Sequence, residues 1–307
     1  MWLIKIVENL IVIRNHLIWI GFRLFAALPQ CVVRGLGIIL GMVANLFPNP
    51  VRRIIEINLR LCFPELQKIE RQRLVRRTLI ETGKTFTEMG ALWTWELPKV
   101  LALVKKVSGE DAFQAALAQG RGAITAGPHL GAWEMAGLYL SKHYPVTTLY
   151  RPPRLAGLGE RVRLARARGG ARLVATDIRG VKSLYQSLMQ GEVVAILPDH
   201  NPGQGMGVFA PFFGISANTM VLLSRLANKN NVPVFFVYAE RLPRGQGFHI
   251  HFVPGDQGIN DTDIERSCAC LNAGVEECIR RHPEQYQWSY KRFKIRPEGE
   301  ADLYKKK

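Results

Sequence analysis

From residue 106 onward the chain alternates short apolar runs with stretches of helical period, and this alternation constrains the fold more than any other feature. "GAITAG" (122–127), "YPVTTLYR" (144–151), "ARLVAT" (171–176) and "EVVAILPD" (192–199) read as strands, separated by helical patterns over 131–143, 158–168 and 179–190. A strand that returns through a helix comes back parallel to its predecessor, because a tight turn serves only antiparallel neighbours. The expectation is therefore an α/β fold, a mostly parallel mixed sheet flanked by helices on both faces. After a loop rich in Gly and Pro, the pattern predicts a helix over 216–230. Strands at "VPVFFVYAER" and "GFHIHFVPG" and a closing helix over 260–281 complete it.

The front of the chain differs. Residues 49–105 carry apolar positions at three- and four-residue spacing and read as a helical subregion ahead of an α/β domain over 106–297. The first 48 residues are apolar but broken by Glu8, Arg14, Arg23 and Pro29, so neither a cleavable signal peptide nor a clean span of about 20 apolar residues fits. The reading is a pair of membrane-attachment helices lying on or dipping into a bilayer. The competing reading packs that pair on the protein's own core. The last stretch, "EGEADLYKKK" (298–307), is expected to be a disordered tail.

A formal charge of +16 calls for partners of opposite sign. Arg residues cluster in 51–77 and 150–173, and planar guanidinium forks suit phosphate and carboxylate. Zinc-finger spacing, an RNA-recognition signature and interleaved aromatics are all missing, so nucleic acid is not expected. Five cysteines without framework spacing point to a reducing compartment. Cys278 and His282 are spaced for a helical metal pair, but buried apolar cysteines are the simpler reading, and no metal is called for.

In "GPHLGAWE" (127–134), His129 and Glu134 stand five apart where a strand stops and a helix starts. On one helix they would diverge by roughly 140°, so cooperation requires His129 to precede the helix. Pro128 and Gly131 allow that. The pair reads as a base and its orienter, with Glu134 fixing the imidazole tautomer. Arg151 and Asp199 fall at the carboxyl ends of predicted strands, where ligands bind in such sheets. Nothing near His129 offers a nucleophile, and "FGISAN" lacks the second Gly of a nucleophile elbow. A base without a nucleophile suits activation of a substrate hydroxyl, with helix N-terminal amides for an oxyanion: acyl transfer to an alcohol.

"HLGAWE", "LYRPPR", "LPDHNPGQGMGVFAPFFG" with Thr219 after it, and "QYQWSYKRFKIRP" occur in order, with "NLRLCFPEL" ahead of them. Together they resemble the bacterial lipid A late acyltransferases (lauroyl and myristoyl type), within the glycerolipid and lysophospholipid acyltransferase-like superfamily. The resemblance implies an inner-membrane enzyme on the cytoplasmic face. It would move a fatty acyl chain from acyl carrier protein, or coenzyme A, to a hydroxyl of a lipid A precursor, with no cofactor beyond that co-substrate. It makes His129 the general base, Glu134 its orienter, Arg151 an anion or oxyanion contact and Arg154 a phosphate contact. Asp199 is a loop organiser or a second base. Phe213, beside Phe212, lines an acyl tunnel or packs. Lys291 and Arg292 face headgroups or act as a clamp. His200, where the family more often has Gln, reads as a loop or substrate contact. The same chemistry on an ornithine lipid, a polyketide-like lipid or a lysophospholipid is the alternative, though such relatives usually carry Asp at the position of Glu134.

Overall fold

The computed structural model describes residues 2–151 and 158–305, with backbone alone for residues 2–13 and 158. Four helices lead: α1 (Trp2–Ala27), α2 (Gln30–Leu46), α3 (Pro50–Cys62) and α4 (Lys68–Thr94). The start of α3 is written locally. Pro50 occupies the first turn, and the Asn49 side chain accepts a hydrogen bond from the Arg52 N–H (2.9 Å).

The remaining elements follow the strand–helix alternation. They begin with α5 (Leu97–Leu101), β1 (Val104–Ser108), α6 (Glu110–Leu117), β2 (Ala123–Ala126), α7 (Trp133–His143) and β3 (Val146–Tyr150). Next come α8 (Leu158–Ala167), β4 (Arg172–Ala175), α9 (Ile178–Met189), β5 (Val193–Ile196), β6 (Gly207–Phe212) and β7 (Ile215–Met220). The last are α10 (Leu222–Asn230), β8 (Val234–Arg241), β9 (Phe248–Pro254) and α11 (Ile264–Arg281).

Seven strands form one sheet in the order β1-β9-β8-β2-β5-β3-β4. β8 and β9 pair antiparallel and the other neighbours pair parallel, as expected of a mostly parallel mixed sheet. Each face carries its own buried apolar cluster. One gathers Leu59, Leu79, Leu223, Leu271 and Trp288, and the other Phe113, Met135, Leu138, Phe235 and Phe252. At about 1.5–3 kcal/mol for each large side chain, these two layers dominate what holds the sheet between its helices.

Two expectations are corrected. The segment predicted to begin a helix at 216 instead forms β7, paired antiparallel with β6. The turn residues Phe213 and Gly214 both have positive φ (50° and 74°), the geometry of a two-residue hairpin turn, although no Asn-Gly announces it. The tail expected to be disordered is docked as far as Tyr304, which is buried and donates its hydroxyl to Asn58 Oδ1 (2.6 Å).

The α1–α2 pair packs on α4, and α2 does so at backbone contact. A Cβ on Gly41 would sit 2.4 Å from Ile80 Cα, and one on Gly83 would sit 2.1 Å from the Gly37 carbonyl oxygen. The outward side of the pair stays apolar and exposed, with Leu17, Leu24, Ile39, Leu46 and Phe47 each more than half exposed. Among the described residues no single helix is long and apolar enough to cross a membrane. α2 and α3 together would meet that test only across an 81° bend.

Candidate active site

The loop between β2 and α7 leaves the carboxyl edge of the central strand and is fastened on two sides. Gly131 has φ 61°, and a Cβ there would lie 2.0 Å from the Ala239 carbonyl oxygen, so the approach to β8 is open only to glycine. Ala132 N–H donates to that oxygen (2.8 Å). On the other side Gly131 N–H donates to the Gln285 carbonyl (3.0 Å), and Gln287 N–H donates to the His129 carbonyl (3.0 Å). His129 is thus held outside the helix, as the spacing requires, with its ring 13% exposed.

The partner of that ring is Asp199, from the end of the neighbouring strand β5. His129 Nδ1 lies 2.8 Å from Asp199 Oδ1, and Asp199 Oδ2 accepts from the His129 backbone N–H at 2.9 Å. Burial alone would raise the Asp199 carboxyl. The His129 ring and backbone overturn that and hold it well below the usual carboxylate range. A carboxylate facing Nδ1 selects the tautomer with the proton there and leaves Nε2 free to accept one. Tyr286 lies beside Asp199, and burial, then the Asp199 charge, push its phenol well above its ordinary value. His200 stacks on His129 (ring centroids 3.8 Å apart) and on Tyr290 (3.7 Å), as a loop spacer. Burial, then the neighbouring His129, lower its pKa to about 4, so it stands neutral between two rings.

Glu134 is placed in the first turn of α7, as expected, but its hydrogen bonds go elsewhere. Arg166 from α8 grips it as a fork, with Nε at 3.2 and 3.0 Å from the two carboxylate oxygens and Nη2 in closer contact with Oε1. The orienting bond expected from Glu134 to His129 is therefore supplied by Asp199. The physical reason is that an arginine 32 residues further on reaches the glutamate first. Burial would raise the Glu134 carboxyl, but Arg166 outweighs it and His129 adds to the lowering.

The other expected residues divide. Arg151 ends β3 at an exposed position, and Arg154 lies outside the described residues. Phe213 is a core residue, its ring 5.2 Å from Phe63 and 5.8 Å from Trp288. Arg292 is 3% exposed and donates to the Asn218 carbonyl (2.7 Å) and Thr219 Oγ1 (3.0 Å), so it clamps β7 instead of facing headgroups. Lys291 is exposed, with Nζ 5.7 Å from the Tyr304 ring centroid.

A cavity of about 130 Å³ opens beside Trp133 and Glu134 and runs under α7. Ala136, Leu138, Leu140, Val146, Leu149, Leu173 and Val237 line it, with Arg166 at the polar end. The Trp133 ring centroid is 5.3 Å from that of His129, which joins the apolar space to that imidazole. Sequence reading missed Arg166, Tyr286 and Arg241. Arg241 is buried, holds Glu88 through Nε (2.9 Å) and donates to the Gly131 carbonyl (3.1 Å). Its only trace in the sequence is an arginine closing a mostly apolar strand.

Comparison with known proteins gives the family of the chain. Residues 6–295 match the family profile described as bacterial lipid A biosynthesis acyltransferase. The chain is 31% identical over 298 residues to the lipid A biosynthesis lauroyltransferase of Escherichia coli K12, covering 95% of each. It is 30% identical to the palmitoleoyltransferase of the same organism, again over 95% of each. To the myristoyltransferase it is 27% identical over 272 residues, 87% of this chain and 83% of the other. A histidine–carboxylate pair at the strand ends, an apolar cavity beside it and a match along nearly the whole length agree: the chain belongs to the bacterial lipid A biosynthesis acyltransferase family and is an acyltransferase.

Proposed function

We propose that the enzyme transfers a fatty acyl chain from the thioester of acyl carrier protein to a hydroxyl of a lipid A precursor, with His129 as general base. The observation that carries this reading is the Asp199–His129 pair, which leaves Nε2 as the free nitrogen on a ring that Trp133 links to the apolar cavity. The acceptor oxygen attacks the thioester carbonyl while Nε2 takes its proton. The tetrahedral intermediate then expels the thiolate, which recovers that proton from the imidazolium. Amides of Leu130, Gly131 and Ala132 are spent on carbonyls, so those of Trp133 and Glu134, at the start of α7, are the donors available for the oxyanion. The acyl chain lies in the cavity under α7. Glu134 and Arg166 frame its entrance and complete the site by holding α8 against α7.

Partners follow from the surface. A groove of about 630 Å³ between α3 and α4 is lined by Arg52, Arg53, Arg60, Lys68, Arg71, Arg73 and Arg76 against the single acid Glu56. Its charge suits an acidic carrier protein and the phosphates of the acceptor alike, with an attraction that salt weakens. The exposed apolar side of α1 and α2 adjoins this groove and rests on the cytoplasmic face of the inner membrane, where the acceptor resides.

The test uses the purified protein in detergent, a tetra-acylated lipid A precursor and a panel of acyl carrier protein thioesters, followed by mass spectrometry. One added acyl mass, reduced roughly 10²–10⁴-fold in His129→Ala, is the expected result. Undiminished transfer by His129→Ala would remove the histidine from the mechanism.

A further inference from the structure

On the opposite face of β8 from Arg241, three imidazoles converge on one carboxylate oxygen. His249 and His251 stand two apart on β9 and therefore share a face, and Glu240 lies directly across from His249 in the β8–β9 register. Glu240 Oε2 is 2.9 Å from His251 Nε2, 3.4 Å from His249 Nδ1 and 3.6 Å from His282 Nε2, at the end of α11. All four side chains are at most 21% exposed.

We propose that Glu240, His249 and His251, with His282 beside them, form a binding site for a divalent transition cation of the zinc class. Hydrogen bonding accounts for one of the three distances, since 2.9 Å is a normal bond and 3.4 and 3.6 Å are too long for good ones. A tetrahedral ion with bonds of about 2.0–2.1 Å would hold its ligand atoms roughly 3.3 Å apart, and the three distances straddle that spacing. The Glu240, His249 and His251 ligand atoms all lie within 4.8 Å of one another.

The surroundings resemble those of metal-bound histidines. His249 Nε2 is 2.8 Å from Ser108 Oγ, a partner on the far nitrogen that leaves Nδ1 for the ion. His251 is stacked on Tyr238, with ring centroids 4.7 Å apart. One carboxylate and imidazole nitrogens suit zinc, cobalt and nickel better than magnesium or calcium, which prefer oxygen. The ion's role is structural: it ties β8 and β9 to the end of α11, immediately before the segment whose Gln285 and Gln287 fasten the His129 loop.

The test titrates the full chain in detergent, stripped with a chelator, with cobalt(II) as a spectroscopic probe and then with zinc. One cobalt per chain, with the visible absorption of a tetrahedral or five-coordinate ion and displacement by zinc, is expected. His251→Asn and Glu240→Gln should each weaken cobalt binding at least tenfold. Because either variant could misfold, unfolding of the unaltered chain is followed as well, and zinc in hundredfold excess over its Kd should raise Tm by about 5 °C. No stoichiometric binding, or binding unchanged in both folded variants and so owed to a thiol elsewhere, would overturn the proposal.

Discussion

Two buried carboxylates flank His129, and they do different work. Asp199, fully buried at the end of β5, spends both oxygens on the histidine, one on the ring and one on its backbone. Glu134, five residues from His129 in the chain, spends its oxygens on Arg166, whose side chain remains 39% exposed at the cavity mouth. Both carboxyls are held below their ordinary pKa, so both are charged at neutral pH. The difference lies in the partner. A ring that must present one nitrogen in one direction is paired with the more rigid, drier carboxylate. The carboxylate nearer the ring in sequence organises the entrance instead. Charge state alone does not tell an orienting acid from a framing one, whereas the hydrogen-bond partner does.

This contrast is sharpest under mutation. Asp199→Asn replaces an acceptor-only group with one that can present an amide N–H to Nδ1, favouring the wrong tautomer. Activity should fall by roughly 10³-fold with the fold retained, by analogy with other histidine–carboxylate pairs. A drop of less than about tenfold in kcat would make Glu134 the effective orienter. Glu134→Gln should cost less, roughly 10–100-fold in kcat/KM. Its stability cost, discounted for the partial exposure of Arg166, should be about 1 kcal/mol by denaturant unfolding. If its loss equalled that of Asp199→Asn, the two carboxylates would be one unit.

A pH series adds a third, smaller effect. His200 has a folded pKa of about 4, below the unfolded value near 6.5. The unfolded chain therefore binds that proton first as the medium is acidified. The contribution of neutral His200 is fully present above pH 6.5 and is lost as pH falls toward 4. His200→Gln should flatten this part of the stability curve by up to roughly 3 kcal/mol, measured by unfolding at pH 7 and pH 4.5 in the two proteins. Depressed carboxyls act in a separate window. Support from Asp199 and Glu134 persists above their ordinary pKa near 4 and is lost only below it, so parallel curves above pH 4.5 would remove His200 from the account. The smallest effect belongs to Arg151→Ala, whose exposed position predicts a stability change within about 0.5 kcal/mol.

How much of this the sequence holds depends on range. The parallel sheet is legible because β2, β3, β4 and β5 are apolar runs separated by helical periods. His129 and Asp199 are legible as candidate site residues because strand ends are where such sheets bind ligands. The edge strand β1, "VKKVS", is not, since two of its five residues are charged and it is too short to show a period. Nor is the β6–β7 hairpin, whose turn puts Phe213 at positive φ. That conformation is held by burial of the ring and by Glu276, which accepts the Phe213 N–H (2.7 Å). Glu134 shows the same limit at the site itself. Proximity in sequence identifies the neighbourhood, but Arg166 wins the carboxylate through the packing of α8 on α7, which no local pattern encodes.

The fastening of the His129 loop carries a consequence for the timing of synthesis. The histidine is translated about 150 residues before Gln285 and Gln287, yet its carbonyl is bound by Gln287, Gly131 is bound by Gln285, and the loop rests against Ala239. A nascent chain that has emerged only as far as residue 199 already owns both His129 and Asp199 but not the scaffold that aims them. The loop is therefore fastened only after residues 285–287 have been made. A frameshift between residues 200 and 285 would leave His129 and Asp199 in the chain but remove what fastens their loop.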